Sequence, residues 1–190
     1  MTHILPMAAY LSVFLAVFYK PAEAIRMAGE AGNKGWRFFC LFGIPLIMTG
    51  ALGRMWIVGS GSALSLASLL LFLINLASYA LAILLGSLLV AKLSRPFRSD
   101  SDRMRTMNLM VVAFSPFFVS QVVIALLPGL TPIGFAALGY TVFLYGRGLQ
   151  PLLQTPPEKV AGLTLVSFFI LLGIAWVVNI ILSGLLIFAL

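Results

Sequence analysis

Five long apolar runs, at residues 36–58, 63–91, 107–127, 131–146 and 156–189, are separated by short segments that hold almost every charge in the chain. At about 1.5 Å rise per residue, roughly 20 apolar residues in a helix cross the ~30 Å hydrocarbon core of a bilayer. Lipid offers no partner for peptide N–H and C=O groups, so runs of this length must close their backbone hydrogen bonds internally, as helices do. Composition agrees. The chain is 62% hydrophobic and 9% charged, against about 25% charged in an ordinary soluble domain. The expected fold class is therefore an all-α membrane protein, a five-helix transmembrane bundle.

The runs carry their own punctuation. Trp36 and Trp56 bound the first, and a twenty-residue helical separation sets indoles at both interfaces, where tryptophan anchors. Arg54, in its last turn, is expected to snorkel to the headgroups, and Pro45 to kink the helix. The second run exceeds the bilayer thickness and must tilt or project. The uncharged PGLTP between the third and fourth runs reads as a tight hairpin, leading to Thr131 as N-cap and Pro132 in the first helical position. Gly146-Arg147-Gly148 reads as a helix end with a snorkelling cation, and Thr155-Pro156-Pro157-Glu158 as a capping box.

Charge sets the expected orientation. Eleven of the twelve basic residues fall in the segments that alternate crossings would place on one side, and Arg54 alone lies on the other. Cytoplasmic loops collect Lys and Arg, so KLSRPFRSDSDRMRT, residues 92–106, is expected inside and the C-terminus outside. The net charge of +7 points to anionic lipid headgroups rather than nucleic acid, since the bases sit directly beside apolar runs. Candidate lipid- or partner-binding residues are Arg95, Arg98, Arg103 and Arg105 with Lys20, Arg26, Lys34 and Arg37. Residues 1–35 form a separate apolar and amphipathic segment before the transmembrane domain at 36–190. Within it ILPMAAYLSVFLAVFY is slightly short of a span. A secretory signal, a sixth crossing, and a helix in the interface continued by amphipathic AEAIRMAGEAG all compete. His3 is expected to be solvated.

Chemistry has little to work with. One cysteine, Cys40, excludes an intrachain disulfide or a thiolate cluster, and no zinc spacing, phosphate loop or nucleophile elbow is present. No enzyme activity, catalytic residue, metal or cofactor is expected. The candidate intramembrane polar residues are Asn75, Asn108, Gln121 and Asn179, which read first as interhelical hydrogen-bonding groups and second as a substrate path. Ser78, Ala82 and Gly86 recur every four residues, a smooth face for helix packing within one chain or in a homo-oligomer. Ser115-Pro116 frees a carbonyl in mid-membrane that the hydroxyl or another helix must satisfy.

The order of motifs resembles the Yip1-domain family along most of the chain. It comprises an apolar segment breaking into Tyr19-Lys20-Pro21-Ala22-Glu23-Ala24, a first crossing with Gly43-Ile44-Pro45-Leu46, a long second crossing and basic loop, Ala113-Phe114-Ser115-Pro116-Phe117 in the third, and Tyr140 with Leu144-Tyr145-Gly146 before the restart at Thr155–Ala161. The resemblance implies a compact five-helix membrane domain, which in eukaryotic members accompanies vesicle trafficking and binding of prenylated Rab GTPases. Nothing like the Asp-Leu-Tyr-Gly-Pro signature of those members precedes Trp36, so the chain looks more like the small bacterial inner-membrane members of the YohC type, and GTPase binding is not expected. Membrane organisation or scaffolding through the basic face is the leading functional expectation, and a small transporter or lipid-moving protein the alternative.

Overall fold

The computed structural model describes residues 7–30, 35–58 and 66–189; His3, Lys34 and the start of the expected second run at 63–65 lie outside them. The described residues are helical with short turns: α1 Met7–Tyr19, α2 Pro21–Glu30, α3 Gly35–Phe38, a π-helical turn Phe39–Gly43, α4 Ile44–Val58, α5 Leu66–Leu93, α6 Arg103–Leu126, α7 Pro132–Leu153 and α8 Pro157–Ala189. Among the described residues four helices are long and apolar enough to cross a membrane, Gly35–Ile57, Leu66–Leu93, Arg103–Leu126 and Pro157–Gly184. The 22 residues of α7 run along the same bundle. This is an all-α membrane bundle.

α6 is its axis. Two thirds of its most apolar stretch is buried, against 11% for α8 at the edge, and the fully buried run from Met107 to Ala113 belongs to it. Glycines set how closely its neighbours approach. A side chain at Gly43 would meet Val111, one at Gly50 would meet Phe118, and one at Gly53 would strike the Gln121 backbone at 2.5 Å. The register advances equally on both helices, so α4 and α6 run parallel. On α7 the pairing reverses, with Gly134 against Ile124 and Gly148 against Leu109, so α7 is antiparallel to α6. α8 packs chiefly on α5, and Gly86 of the Ser78, Ala82, Gly86 face receives Leu171. All three residues are buried within the chain.

Two prolines are absorbed differently. Pro45 has no N–H for the carbonyl one turn back, and the preceding turn widens so that the Ile44 N–H reaches Phe39 O, a π turn at the kink expected there. Pro116 stays inside α6, where Ser115 Oγ donates to Val112 O at 2.7 Å.

Three expectations about helix ends need correction. The helix expected to stop near Gly146 runs on to Leu153, because Gly148 lets Leu109 approach and Leu149, Leu152 and Leu153 continue the buried face; Arg147 is left outside, over the Phe143 ring. Thr155 is not a capping residue. Its hydroxyl donates to Leu149 O at 3.2 Å, one residue further from the helix that begins at Pro157 than a cap would stand. Thr131 occupies the N-cap position of α7 but has helical dihedrals and no side-chain cap bond, its hydroxyl donating back to Pro128 O at 2.8 Å.

Residues before the bundle fold against it. α1 buries Val13 and Val17, and Tyr140 Oη donates to Val17 O at 2.7 Å. Its 13 described residues cover about 20 Å, with Leu11, Leu15 and Phe18 exposed where lipid would lie. α2 buries Ala24, Ile25 and Ala28 on one side and turns Arg26 and Glu30 outward, the amphipathic pattern read from its sequence.

Candidate functional site: the basic end of the bundle

The polar segment between α5 and α6 begins as helix C-terminus and ends as helix N-cap, and side chains fix nearly every step between. Ser94, fully buried, donates to Val90 O at 2.8 Å. Arg95–Phe97 form a single 3-10 turn, closed by Arg98 in the left-handed region at φ 55°. Asp102 is the N-cap of α6, accepting from Met104 N at 2.8 Å and Arg105 N at 3.3 Å. That cap starts α6 four residues before the expected Met107, since a carboxylate there satisfies the orphan N–H groups of the first turn.

The segment is also fastened to the turn between α7 and α8. Asp100 N donates to Leu153 O at 2.7 Å, Ser99 Oγ to Thr155 Oγ1 at 2.9 Å, and Lys159 Nζ to Pro96 O at 3.2 Å. Phe97, half-buried, lies beside Gly162. Arg95, Arg98 and Arg103 are exposed on this fastened backbone. Arg105 is held differently, its guanidinium 3.5 Å from Asp100 and 3.4 Å from Asp102.

α2 brings the other cations to the same end. Asn108, fully buried, donates through Nδ2 to Ala28 O at 3.1 Å, so a polar residue expected in mid-membrane holds a carbonyl of α2. Arg26 sits 3.7 Å from Glu30 and Lys20 3.7 Å from Glu23, both exposed pairs of little energetic weight. Arg37 is exposed on α3, and Lys34 lies outside the described residues.

The other intramembrane polar candidates are dispersed. Asn75 donates to Leu71 O of its own helix at 2.7 Å. Gln121 lies opposite Gly53, thirteen residues along α6 from Asn108 and so about 20 Å away. Asn179 is half-buried on α8. An apolar crevice of about 80 Å³ between α5, α6 and α8, with Tyr79, Ala82, Phe118 and Leu171 among its walls, includes none of them. Among the described residues no group of three His, Cys, Asp or Glu side chains could hold a metal.

Sequence reasoning missed the fastenings. Asp102 before a helical run was a readable cap signal. The bonds from Ser99, Lys159, Asn108 and Tyr140 link positions 56 to 123 residues apart, and their residue types carry no local mark of a partner.

Apolar helices threaded through one bundle, with the charge collected at one end, define a multi-pass helical membrane protein. The Yip1 domain family matches residues 15–179, and the chain belongs to it. The match includes the last five residues of α1 and all of α2, and runs through the bundle to residue 179 in α8. No curated protein matches the chain, and neither does any solved structure.

Proposed function

We propose that the protein is a non-enzymatic inner-membrane component that engages anionic lipid, and through it organises membrane or scaffolds partners, with its basic end in the cytoplasm. The observation that supports this reading is the fastening of residues 94–102 to the turn between α7 and α8. Three long-range bonds hold the backbone of this segment in one arrangement, more than connecting two helices requires. One that presents Arg95, Arg98 and Arg103 as a fixed array binds a charged surface without the entropy cost of ordering a mobile segment. Basic residues near an anionic leaflet contribute about 1 kcal/mol each. Orientation follows from the excess of Lys and Arg at this end.

The test is photocrosslinking in cells from a photoreactive residue replacing Arg98 or Arg103, with a control at exposed Leu127 in the α6–α7 turn at the other end. Enrichment of anionic phospholipid, with or without a protein partner, over the control supports the reading. Equal capture at both ends removes it.

A further inference from the structure

Where α2 crosses the first turn of α6 and the last turn of α7, it leaves a cleft of about 330 Å³. Arg26 and Glu30 from α2 and Arg105 from α6 line it, and Ile25, Gly29 and Leu152 form apolar wall. We propose that this cleft is a seat for a zwitterionic phospholipid headgroup with a primary amine, a phosphatidylethanolamine, whose phosphate lies between the two arginines and whose ammonium lies on Glu30. The proposal rests on the lipid-facing reading of the basic end but asks for a different lipid from the exposed arginines.

Three features set that choice. First, the lining carries both signs, and Arg105 already shares its charge with Asp100 and Asp102, so a second anion finds less excess positive charge here than on Arg95, Arg98 and Arg103. A headgroup bearing both charges matches the lining pole for pole. Second, the groups are available. The Arg26–Glu30 pair is 3.7 Å long with both side chains about two thirds exposed, at 70% and 65%, and a contact of that kind is readily exchanged for charge-assisted bonds to a ligand. Arg105 is oriented before any ligand arrives. Third, the walls suit a lipid. The cleft sets Arg26, Glu30 and Arg105 beside Ile25, Gly29 and Leu152 at the end of the bundle, and a phospholipid joins a charged headgroup to apolar chains in the same way. A carboxylate such as Glu30 accepts hydrogen bonds from a primary ammonium, whereas a choline headgroup has no N–H to give.

The experiment uses the full chain, solubilised in detergent and presented with equal amounts of dioleoyl phosphatidylethanolamine, phosphatidylcholine and phosphatidylglycerol, with bound lipids counted by native mass spectrometry. Phosphatidylethanolamine should be retained over phosphatidylcholine by roughly tenfold, the factor carried by one hydrogen bond to a charged group. Glu30→Gln, a surface change with no buried partner, should abolish that preference without lowering retention of phosphatidylglycerol. Gly29→Leu should block the cleft. A methyl group at Gly29 meets only Leu152, at an ordinary 3.6 Å, so the longer side chain extends into the space. Equal retention of the ethanolamine and choline lipids, or a preference that survives Glu30→Gln, overturns the proposal. Phosphatidylglycerol retention lost only on neutralising Arg95, Arg98 and Arg103, with no ethanolamine preference, overturns this site and leaves the anionic-lipid reading standing.

Discussion

Ser115 Oγ donates at 2.7 Å to the carbonyl of Val112, the group that Pro116, lacking an N–H, leaves unbonded inside α6. Both residues are buried, and neither water nor lipid supplies another donor. Ser115→Ala should therefore destabilise the bundle by about 1–3 kcal/mol, the cost of an unsatisfied buried carbonyl. Pro116→Ala alone returns the N–H. The double substitution Ser115→Ala with Pro116→Ala should recover part of the loss, and that non-additivity, measured by thermal unfolding in detergent, is the signature. Equal effects of Ser115→Ala in both backgrounds would mean the hydroxyl is not serving that carbonyl.

Gly53 and Gln121 put two parallel helix backbones in contact, and a methyl at Gly53 would lie 2.5 Å from the Gln121 carbonyl carbon and 2.6 Å from its oxygen. Neither atom is the end of a flexible side chain, so α4 or α6 must shift. Gly53→Ala should cost about 1–3 kcal/mol, the usual range for an overfilled interior. Gly173, with nothing within 4 Å, is the matched control on α8, and Gly173→Ala should be neutral or stabilising by up to about 1 kcal/mol through helix propensity. Both are read from melting temperatures of the purified chain, and comparable losses at the two sites would contradict the close approach.

The contrast between these glycines shows what the sequence could and could not disclose. Hydrophobic length announces a long apolar helix, and Trp36, Pro132 and the basic segments mark where helices begin and end, because those signals act over one or two turns. Gly43, Gly50 and Gly53 look like any glycines in a membrane helix until α6 is laid beside them in register. The extension of α7 past Gly146 was hidden for the same reason, since Gly148 is a helix breaker by propensity and a contact point for Leu109 by packing. At the basic end, the identity of the arginines was legible. Their mounting depends on Asp100 N meeting Leu153 O, which nothing local specifies.

That mounting makes Thr155 a sensitive position. Its hydroxyl accepts from Ser99 at 2.9 Å and donates to Leu149 O at 3.2 Å, tying the basic segment to the end of α7. Thr155→Ala removes both bonds and should loosen residues 94–102 by about 1 kcal/mol. Cleavage that samples the opened segment tracks its population, so trypsin should cut after Arg98 roughly fivefold faster, with the melting temperature little changed. Thr131→Ala, which breaks only an exposed bond to Pro128 O, should leave the rate at Arg98 where it was. An unchanged rate in Thr155→Ala would show that the bonds from Asp100 to Leu153 and from Lys159 to Pro96 hold the segment without it.

The orientation of the chain is the last consequence of the same charges. Neutralising Arg95, Arg98, Arg103 and Arg105 together removes four of the eleven basic residues that alternate crossings would place on one side, while acids, which contribute little to topology, remain. Each base contributes about 1 kcal/mol of attraction to an anionic leaflet, so the proposed preference for a cytoplasmic α5–α6 segment should fall enough to leave a measurable fraction of chains inverted. Cys40 is the sole cysteine, and Cys40→Ser gives a background in which exposed Ser101→Cys reports the segment's side to a membrane-impermeant maleimide. Labelling from outside intact cells should appear only in the neutralised chain. If Ser101→Cys stays protected with all four arginines gone, orientation is set elsewhere, and Lys20, Arg26, Lys34 and Arg37, before and at the start of the first apolar span, become the next residues to neutralise.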